Sequence, residues 1–298
     1  MKARKVAGVT LAALVLLAGA GVAAVSWRSA DALVHPARDA SAQVPALPHE
    51  RVSFAASDGV PLVGWWVPAP EARGVVVFLH GYGDSKDQAL PLLPFLHAEG
   101  YHVLAYDARA HGESGGDHTT VGLDEVQDVR GALAFAAARD PEAAENLALV
   151  GWSMGAATAI LAAAQEPSVD AVVADSSFAT LQNIASNSIT AFTGLPKYPF
   201  GPLSVTFAGW MVRENVARNA PLHAAPHVAG PMLVIQGLDD TIALPGEDGE
   251  AIARAAPAGS QLWLVPGAAH VQAHAVAPGE YERRVSAFLA ERLSGGAA

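Results

Sequence analysis

Apolar runs that predict strands alternate along the chain with stretches of helical spacing. The run Gly74–Leu79 is apolar throughout, which is typical of a strand buried on both faces of a parallel sheet. The predicted strands are 51–55, 62–67, 74–79, 101–106, 147–151, 171–174, 231–236 and 261–265, and the predicted helices are 90–98, 122–138, 155–165 and 280–293. Such alternation predicts an α/β fold with a mainly parallel central sheet flanked by helices, joined by right-handed crossovers.

The stretch 177–227 interrupts this alternation. It contains the turn-forming segments Gly194–Pro196 and Tyr198–Pro202, and we predict that it is a small helical cap inserted over the strand ends. Its large apolar side chains either line an acyl or aryl pocket or simply pack the cap onto the sheet. These residues are Phe178, Phe192, Leu195, Tyr198, Phe200, Phe207, Trp210 and Met211.

The first thirty residues form a separate unit. Lys2, Arg4 and Lys5 precede the uncharged run Val6–Val25, which as a helix would rise about 30 Å, the thickness of the hydrocarbon core of a bilayer. The preceding positive charges predict a membrane anchor with its N-terminus in the cytoplasm and the rest of the chain outside. The alternatives are a cleaved signal peptide, with a small-residue site near 21–24 and a secreted product, and a peripheral segment.

These patterns divide the chain into three parts. Residues 1–30 are predicted to be the anchor or signal segment, and an irregular tether runs from about Ser26 to Pro48. An α/β domain then occupies 49–298, with the cap insertion at 177–227.

Composition excludes several classes of function. Among 298 residues, 18 Lys and Arg stand against 29 Asp and Glu, a net charge of −11 that argues against a nucleic-acid partner. The absence of Cys excludes disulfides, thiolate metal sites and a Cys nucleophile.

The segment Gly151-Trp152-Ser153-Met154-Gly155 follows a predicted strand and opens a helix of small residues. This is the context of a nucleophile elbow, in which strand and helix crowd each other around an exposed serine. An ordinary glycine-rich turn is the alternative. Ser153 is therefore the candidate nucleophile.

A second segment, His80-Gly81-Tyr82-Gly83, follows the strand 74–79. Acyl transfer passes through an oxyanion that needs two N–H donors. Met154, after the serine, and Tyr82, in this loop, are in the positions expected for those donors. Alone the segment also fits a simple turn, and we expect His80 to be structural.

With these two segments, residues 50–295 resemble the α/β-hydrolase superfamily, whose catalytic triad follows the order Ser, then Asp or Glu, then His along the chain. The segment 237–242 is similar to the family's Gly-x-x-Asp loop, which implies that Asp240 is the acid that orients the histidine. Asp239 and Asp175 are the alternatives.

The segment Pro266–His270 is similar to the family's histidine loop and implies that His270 is the general base. His274 is the alternative, and the pair also has the spacing of two metal ligands on a helix, without the Glu between them found in zinc peptidases. The segment Tyr106–Ser114 resembles another family stretch, with Ala110 in place of the usual Gly, and implies a structural role.

The resemblance implies a serine hydrolase that cleaves carboxylic esters through an acyl-enzyme, with no metal or cofactor. Its substrate would be a small-molecule ester or acyl compound, and the membrane tether and apolar cap favour a hydrophobic one. The chain looks most like membrane-anchored bacterial hydrolases near the prolyl-oligopeptidase-type peptidases. Peptidase, thioesterase and lysophospholipase activities and a non-catalytic binding role therefore remain open.

Overall fold

The computed structural model describes residues 2–38 and 43–293. Its centre is one eight-stranded sheet with the spatial order β1-β2-β4-β3-β5-β6-β7-β8. The strands are β1 (Glu50–Ala55), β2 (Pro61–Val67), β3 (Gly74–Leu79), β4 (Tyr101–Tyr106), β5 (Leu147–Trp152), β6 (Ala171–Asp175), β7 (Met232–Gly237) and β8 (Gln261–Val265). Strand β2 pairs antiparallel with β1 and β4, and every other pair is parallel. The predicted α/β fold with a mainly parallel sheet is confirmed.

Helices cover both faces of this sheet. The α-helices are α1 (Lys2–Val34), α2 (Leu93–Ala98), α3 (Glu125–Arg139), α4 (Met154–Ala163), α5 (Leu181–Thr193), α6 (Lys197–Val212), α7 (Pro221–Ala224), α8 (Gly249–Ala255), α9 (Ala273–Val276) and α10 (Pro278–Arg292). Short 3-10 turns occupy Lys86–Ala89, Ala143–Glu145, Val216–Arg218 and Ala225–His227.

The apolar run of β3 explains how the two layers form. Val75 and Val77 contribute to a core shared with α3 and α4, whereas Val76 and Phe78 contribute to a core with α2 and α10 on the opposite face. A strand covered on both faces needs apolar residues at successive positions rather than at alternate ones. The central strands can therefore be predicted from their unbroken apolar runs in the sequence.

Helices α5 and α6 form a helical cap between β6 and β7, where the sequence predicted an insertion. Thr180 caps the N-terminus of α5 by accepting a hydrogen bond from the backbone N–H of Asn183, and Gly194 ends the helix in a left-handed conformation. The division into an anchor segment, a domain from residue 49 and an insertion over 177–227 stays a prediction.

The prediction of an irregular tether from Ser26 is wrong for its first nine residues, because α1 continues to Val34. Ser26, Ala30 and Val34 are buried against the body, whereas the helix before Val22 is exposed throughout its described side chains. The sequence did not predict this continuation of α1, because the turns that pack against the body contain both apolar and polar residues. Residues 39–42 of the predicted tether lie outside the described residues.

Charged side chains are buried in the loop after β4. Asp107 accepts hydrogen bonds from the backbone N–H and the ammonium group of Lys86, both at 2.8 Å. Arg109 donates from its side chain to Asp128 at 2.8 and 2.9 Å. These pairs hold the loop that follows β4, in agreement with the structural role expected for Tyr106–Ser114.

One helical glycine offers a test of this packing. In α3, a Cβ on Gly131 would collide with the backbone carbonyl of Ala55 at the end of β1, whereas a Cβ on Gly279 in α10 would meet open space. We expect Gly131→Ala to destabilise the protein by about 1–3 kcal/mol, since backbone must move to admit the methyl group. Gly279→Ala should be neutral or stabilising by up to about 1 kcal/mol, because Ala favours a helix. Urea unfolding of both variants checks this, and equal midpoints would refute the close approach of α3 to β1.

Candidate active site

Ser153 occupies a sharp turn between β5 and α4. Its backbone has φ 52° and ψ −113°, a conformation that L-residues rarely adopt. A Cβ on Gly151 would collide with the carbonyl of Gly155, and a Cβ on Gly155 would collide with the carbonyl of Leu79 in β3. Glycine is therefore required on both sides of this serine, as the sequence pattern predicts for an elbow.

Three candidate residues form one continuous hydrogen-bonded chain. Ser153 Oγ lies 2.8 Å from His270 Nε2, and His270 Nδ1 lies 2.8 Å from Asp240 Oδ2. A carboxylate only accepts hydrogen bonds, so Nδ1 carries the proton and Nε2 is left to accept the hydroxyl proton of Ser153. This geometry lets the imidazole act as a base toward the serine.

The loop after β7 holds the carboxylate of Asp240. Oδ1 accepts hydrogen bonds from the backbone N–H groups of Ile242 and Ala243 at 2.8 and 2.9 Å. Oδ2 accepts one from the side-chain amide of Gln236, at 3.0 Å, besides that from His270. The side chain is buried, so these bonds leave it little freedom to rotate away from the imidazole.

The alternative acids and the alternative base lie elsewhere. Asp239 is exposed, and Asp175 accepts a hydrogen bond from Ser176 Oγ at 2.9 Å rather than from the histidine. His274 pairs with Glu282 at 3.4 Å. His270 and His274 thus face different partners and do not form the paired arrangement of a helical metal site.

The loop after β3 lies directly beside the serine. A Cβ on Gly81 would be 3.5 Å from the Cβ of Ser153, and the backbone N–H of Gly81 donates to Gln88 Oε1 at 2.7 Å. His80 is buried, with Nδ1 2.7 Å from the carbonyl of Gly81 and Nε2 accepting from the N–H of Ala108 at 2.9 Å. Burial lowers the pKa of His80, which keeps it neutral.

A second buried group supports the histidine loop. Asp175, at the end of β6, accepts from Ser176 Oγ, which in turn accepts a hydrogen bond from the backbone N–H of Val271 at 3.0 Å. Val271 has φ 57°, so the chain leaves His270 in a left-handed turn that this contact holds. Burial raises the pKa of Asp175 to about 7.

A cavity of about 500 Å³ opens above the serine. Tyr82, Met154, Ser153 and His270 lie at its base. Its walls come from the cap and from the last turns of α1: Ser29, Ala32, Leu33, Ile184, Ala185, Ser188, Ile189, Phe192, Thr193 and Ser204. Among the described residues that line it, none is Asp, Glu, Lys or Arg.

Comparison with known proteins identifies the family. A family model described as serine aminopeptidase, S33, matches residues 70–220, just over half of the chain. The esterase Pf2001 of Pyrococcus furiosus is 31% identical, with a TM-score of 0.75 over 88% of this chain and 98% of that one. The chain is an α/β hydrolase. The α/β-hydrolase resemblance and fold class predicted from the sequence are confirmed.

Sequence relatives of this hydrolase include two bacterial proteins. The protein YfhR of Escherichia coli is 24% identical over 253 residues, which cover 82% of each chain. An uncharacterized protein of Mycobacterium tuberculosis is 27% identical over 277 residues, which cover 91% of this chain and 90% of that one. The aligned lengths show that the similarity to both proteins extends well beyond the elbow.

The sequence left several parts of the hydrolase site unidentified. Ser29, Ala32 and Leu33 line the cavity although they lie in the predicted tether, and Ser176 and Gln236 position the histidine loop and the acid. Gln236 could have been identified from the sequence, because a polar side chain in a buried strand requires a hydrogen-bond partner. The sequence did not indicate that the α1 residues line the cavity, because their position depends on packing against α6, which is distant in sequence.

The buried Asp175 makes a pH-dependent contribution to stability. Its folded pKa of about 7 exceeds the ordinary 3.8, so between about pH 4 and pH 7 the folded protein keeps a proton that the unfolded chain loses. The contribution of Asp175 to the free energy of unfolding therefore falls as the pH rises from about 4 to about 7 and is constant above pH 7. We expect Asp175→Asn to remove this fall, changing the slope by at most about 1.4 kcal/mol per pH unit.

Urea unfolding at several pH values measures the effect, with Asp239→Asn as the exposed control. Parallel profiles for the Asp175 variant and the unmodified hydrolase would contradict the assignment of this protonation change to Asp175.

Proposed function

We propose that this hydrolase cleaves carboxylic esters with Ser153 as nucleophile, His270 as general base and Asp240 as the orienting acid. The observation that carries the proposal is the hydrogen-bonded chain of the three side chains at the base of an apolar cavity. The serine on its strained turn is exposed to that cavity and held within reach of the base.

In the proposed reaction, His270 Nε2 accepts the hydroxyl proton as Ser153 Oγ attacks the ester carbonyl carbon. The carbonyl oxygen becomes an oxyanion, which the backbone N–H groups of Tyr82 and Met154 stabilise. As the carbonyl re-forms, the C–O bond to the alcohol breaks, and the alcohol leaves with the proton from His270. Water then attacks the acyl-enzyme with the same base and releases the acid.

The lining of the cavity favours a neutral acyl group over a peptide N-terminus. An aminopeptidase must bind the α-ammonium of its substrate, and a buried ammonium needs a carboxylate or several acceptors to offset its lost hydration. No acidic side chain belongs to the described lining, and the walls are mainly Ile, Leu, Ala and Phe. We therefore propose ester hydrolysis, with aminopeptidase activity as the second candidate because of the name of the matching family model.

We also propose that α1 anchors the hydrolase in a membrane with the catalytic body outside the cytoplasm. The helix segment Ala7–Val34 is long and apolar enough to cross a membrane, and an 18-residue window within it has a mean hydropathy of 2.3. The three positive residues before the apolar run support this orientation. Membrane fractionation and the mass of the isolated full chain distinguish a retained helix from a cleaved signal peptide.

The first test concerns the three proposed catalytic side chains. We expect Ser153→Ala, His270→Ala and Asp240→Asn to reduce kcat for p-nitrophenyl butyrate by about 10³-fold or more, because the three act as a unit. A fluorophosphonate should label the unmodified protein but not Ser153→Ala. The matched controls are His274→Ala and Asp239→Asn, which alter the alternative base and acid and should retain most of the activity. Equal activity of Ser153→Ala and the unmodified protein would refute the proposal.

A second test separates an esterase from an aminopeptidase. Ethyl 4-methylpentanoate and leucine ethyl ester differ only in the α-ammonium group. We expect kcat/KM for the leucine ester to be lower by about a hundredfold, because the cavity offers that charge no carboxylate. Proton release in a pH-stat measures both reactions. A preference for the leucine ester would instead favour the aminopeptidase.

A further inference from the structure

The last turns of α1 are part of the catalytic cavity and not a flexible link to it. Ala32 and Leu33 line the cavity, and the carbonyl of Ala32 accepts a hydrogen bond from the hydroxyl of Tyr82. Trp27 contacts Phe207 of α6 with ring centroids 5.6 Å apart. The candidate membrane helix therefore enters the body beside the substrate cavity.

The position along α1 at which packing begins sets the height of a bilayer relative to the body. Side chains from Ala7 to Gly21 are exposed, and from Val22 onward a helical stripe turns toward the body. The segment Ala7–Val25 rises about 28 Å, close to the ~30 Å hydrocarbon core of a bilayer. Trp27 then falls at the level of the lipid headgroups, where Trp and Tyr are enriched.

The cap carries further exposed aromatic side chains. Tyr198 and Trp210 are 71% and 66% exposed, and Trp210 contacts the same Phe207 that Trp27 contacts, at 5.3 Å. Phe192, 76% exposed, also lines the cavity and so marks where the cavity reaches the surface. We call Trp27, Phe192, Tyr198 and Trp210 the aromatic patch.

The charge of this region differs from that of the rest of the chain. Between Asp175 and Arg213 the only charged residue is Lys197, whereas the whole chain has a net charge of −11. A segment without carboxylates avoids repulsion from the anionic lipids of a bilayer and avoids the cost of removing charges from water. A cap facing water has no need of this depletion.

We propose that the aromatic patch rests on the surface of a lipid bilayer, and that the cavity takes long-chain acyl esters directly from that bilayer past Phe192. The inference rests on the proposed ester hydrolysis and the proposed membrane anchor, and it adds the substrate class and the source of the substrate. The cavity is apolar and uncharged on the side that α1 and the end of α5 form, which suits an acyl chain leaving the hydrocarbon phase.

The first arm of the test measures contact with lipid and does not depend on activity. The chain has no Cys, so Tyr198→Cys, Trp210→Cys and the control Leu262→Cys each carry one environment-sensitive fluorophore. Leu262 is 38% exposed and lies near the start of the edge strand β8, away from the cap. In phosphatidylcholine vesicles containing the full chain, the probes at 198 and 210 should be blue-shifted and quenched by spin-labelled lipids, and the probe at 262 should not. If the fluorophores at all three positions showed the emission of a water-exposed probe and no quenching by spin-labelled lipids, the proposal would be overturned.

The second arm compares a water-soluble ester with a long-chain ester dissolved in the vesicles. We expect Tyr198→Ser with Trp210→Ser to lower hydrolysis of the vesicle-borne ester by about tenfold or more, because two aromatic contacts with the interface are lost. Hydrolysis of p-nitrophenyl butyrate should be unchanged, and Leu262→Ser should change neither rate.

The two arms separate failure of the inference from failure of the proposed function. If p-nitrophenyl butyrate is cleaved in a Ser153-dependent manner but the vesicle rate is the same in the patch variant, the supply of substrate from the bilayer is refuted and ester hydrolysis stands. If the unmodified chain cleaves neither ester, the proposed function fails, and with it the substrate class. The fluorophore arm still decides whether the patch touches lipid.

Discussion

Strand β5 and helix α4 meet so closely at Ser153 that neither Gly151 nor Gly155 has room for a Cβ, and the serine between them takes a positive φ. The surrounding sheet offsets the conformational strain of this turn, because β5 is hydrogen-bonded between β3 and β6 and is held in place on both sides. Because Gly155 contacts the end of β3, the same close approach also sets the distance from the serine to the loop that carries Tyr82. A rigid centre thus positions groups from four separate loops.

The histidine and its acid depend on that centre through a second layer of contacts. The N–H of Ser153 donates to the carbonyl of Asp175, whose side chain holds Ser176 and, through it, the backbone after His270. Asp240 is held independently by its own turn and by Gln236. The imidazole of His270 is therefore held at both nitrogens, with Nδ1 beside Asp240 and Nε2 beside Ser153.

Local chemistry predicted most of this arrangement, and packing between distant segments accounts for what it missed. Strands such as β3 were evident because burial on both faces demands an unbroken apolar run, and the elbow was evident because only glycine fits beside Ser153. Asp240 was chosen over Asp239 from the family resemblance of the loop, and the structure adds the turn that directs the Asp240 carboxylate toward His270 while Asp239 is exposed. The end of α1 was missed because Ala30 and Val34 are buried through contact with the cap, a segment distant in sequence from residues 26–34.

The change from exposed to packed turns in α1 occurs at Val22–Val25, which coincides with the small-residue segment suited to signal peptidase. A cut after Ala24 would divide one helix into two pieces with separate fates. The leader would leave with the membrane, while the turns carrying Ser29, Ala32 and Leu33 would stay as part of the enzyme. Such a cut would leave the cavity complete. In the anchored form proposed above, the same division means that the first half of α1 holds the protein in the membrane and the second half shapes its cavity.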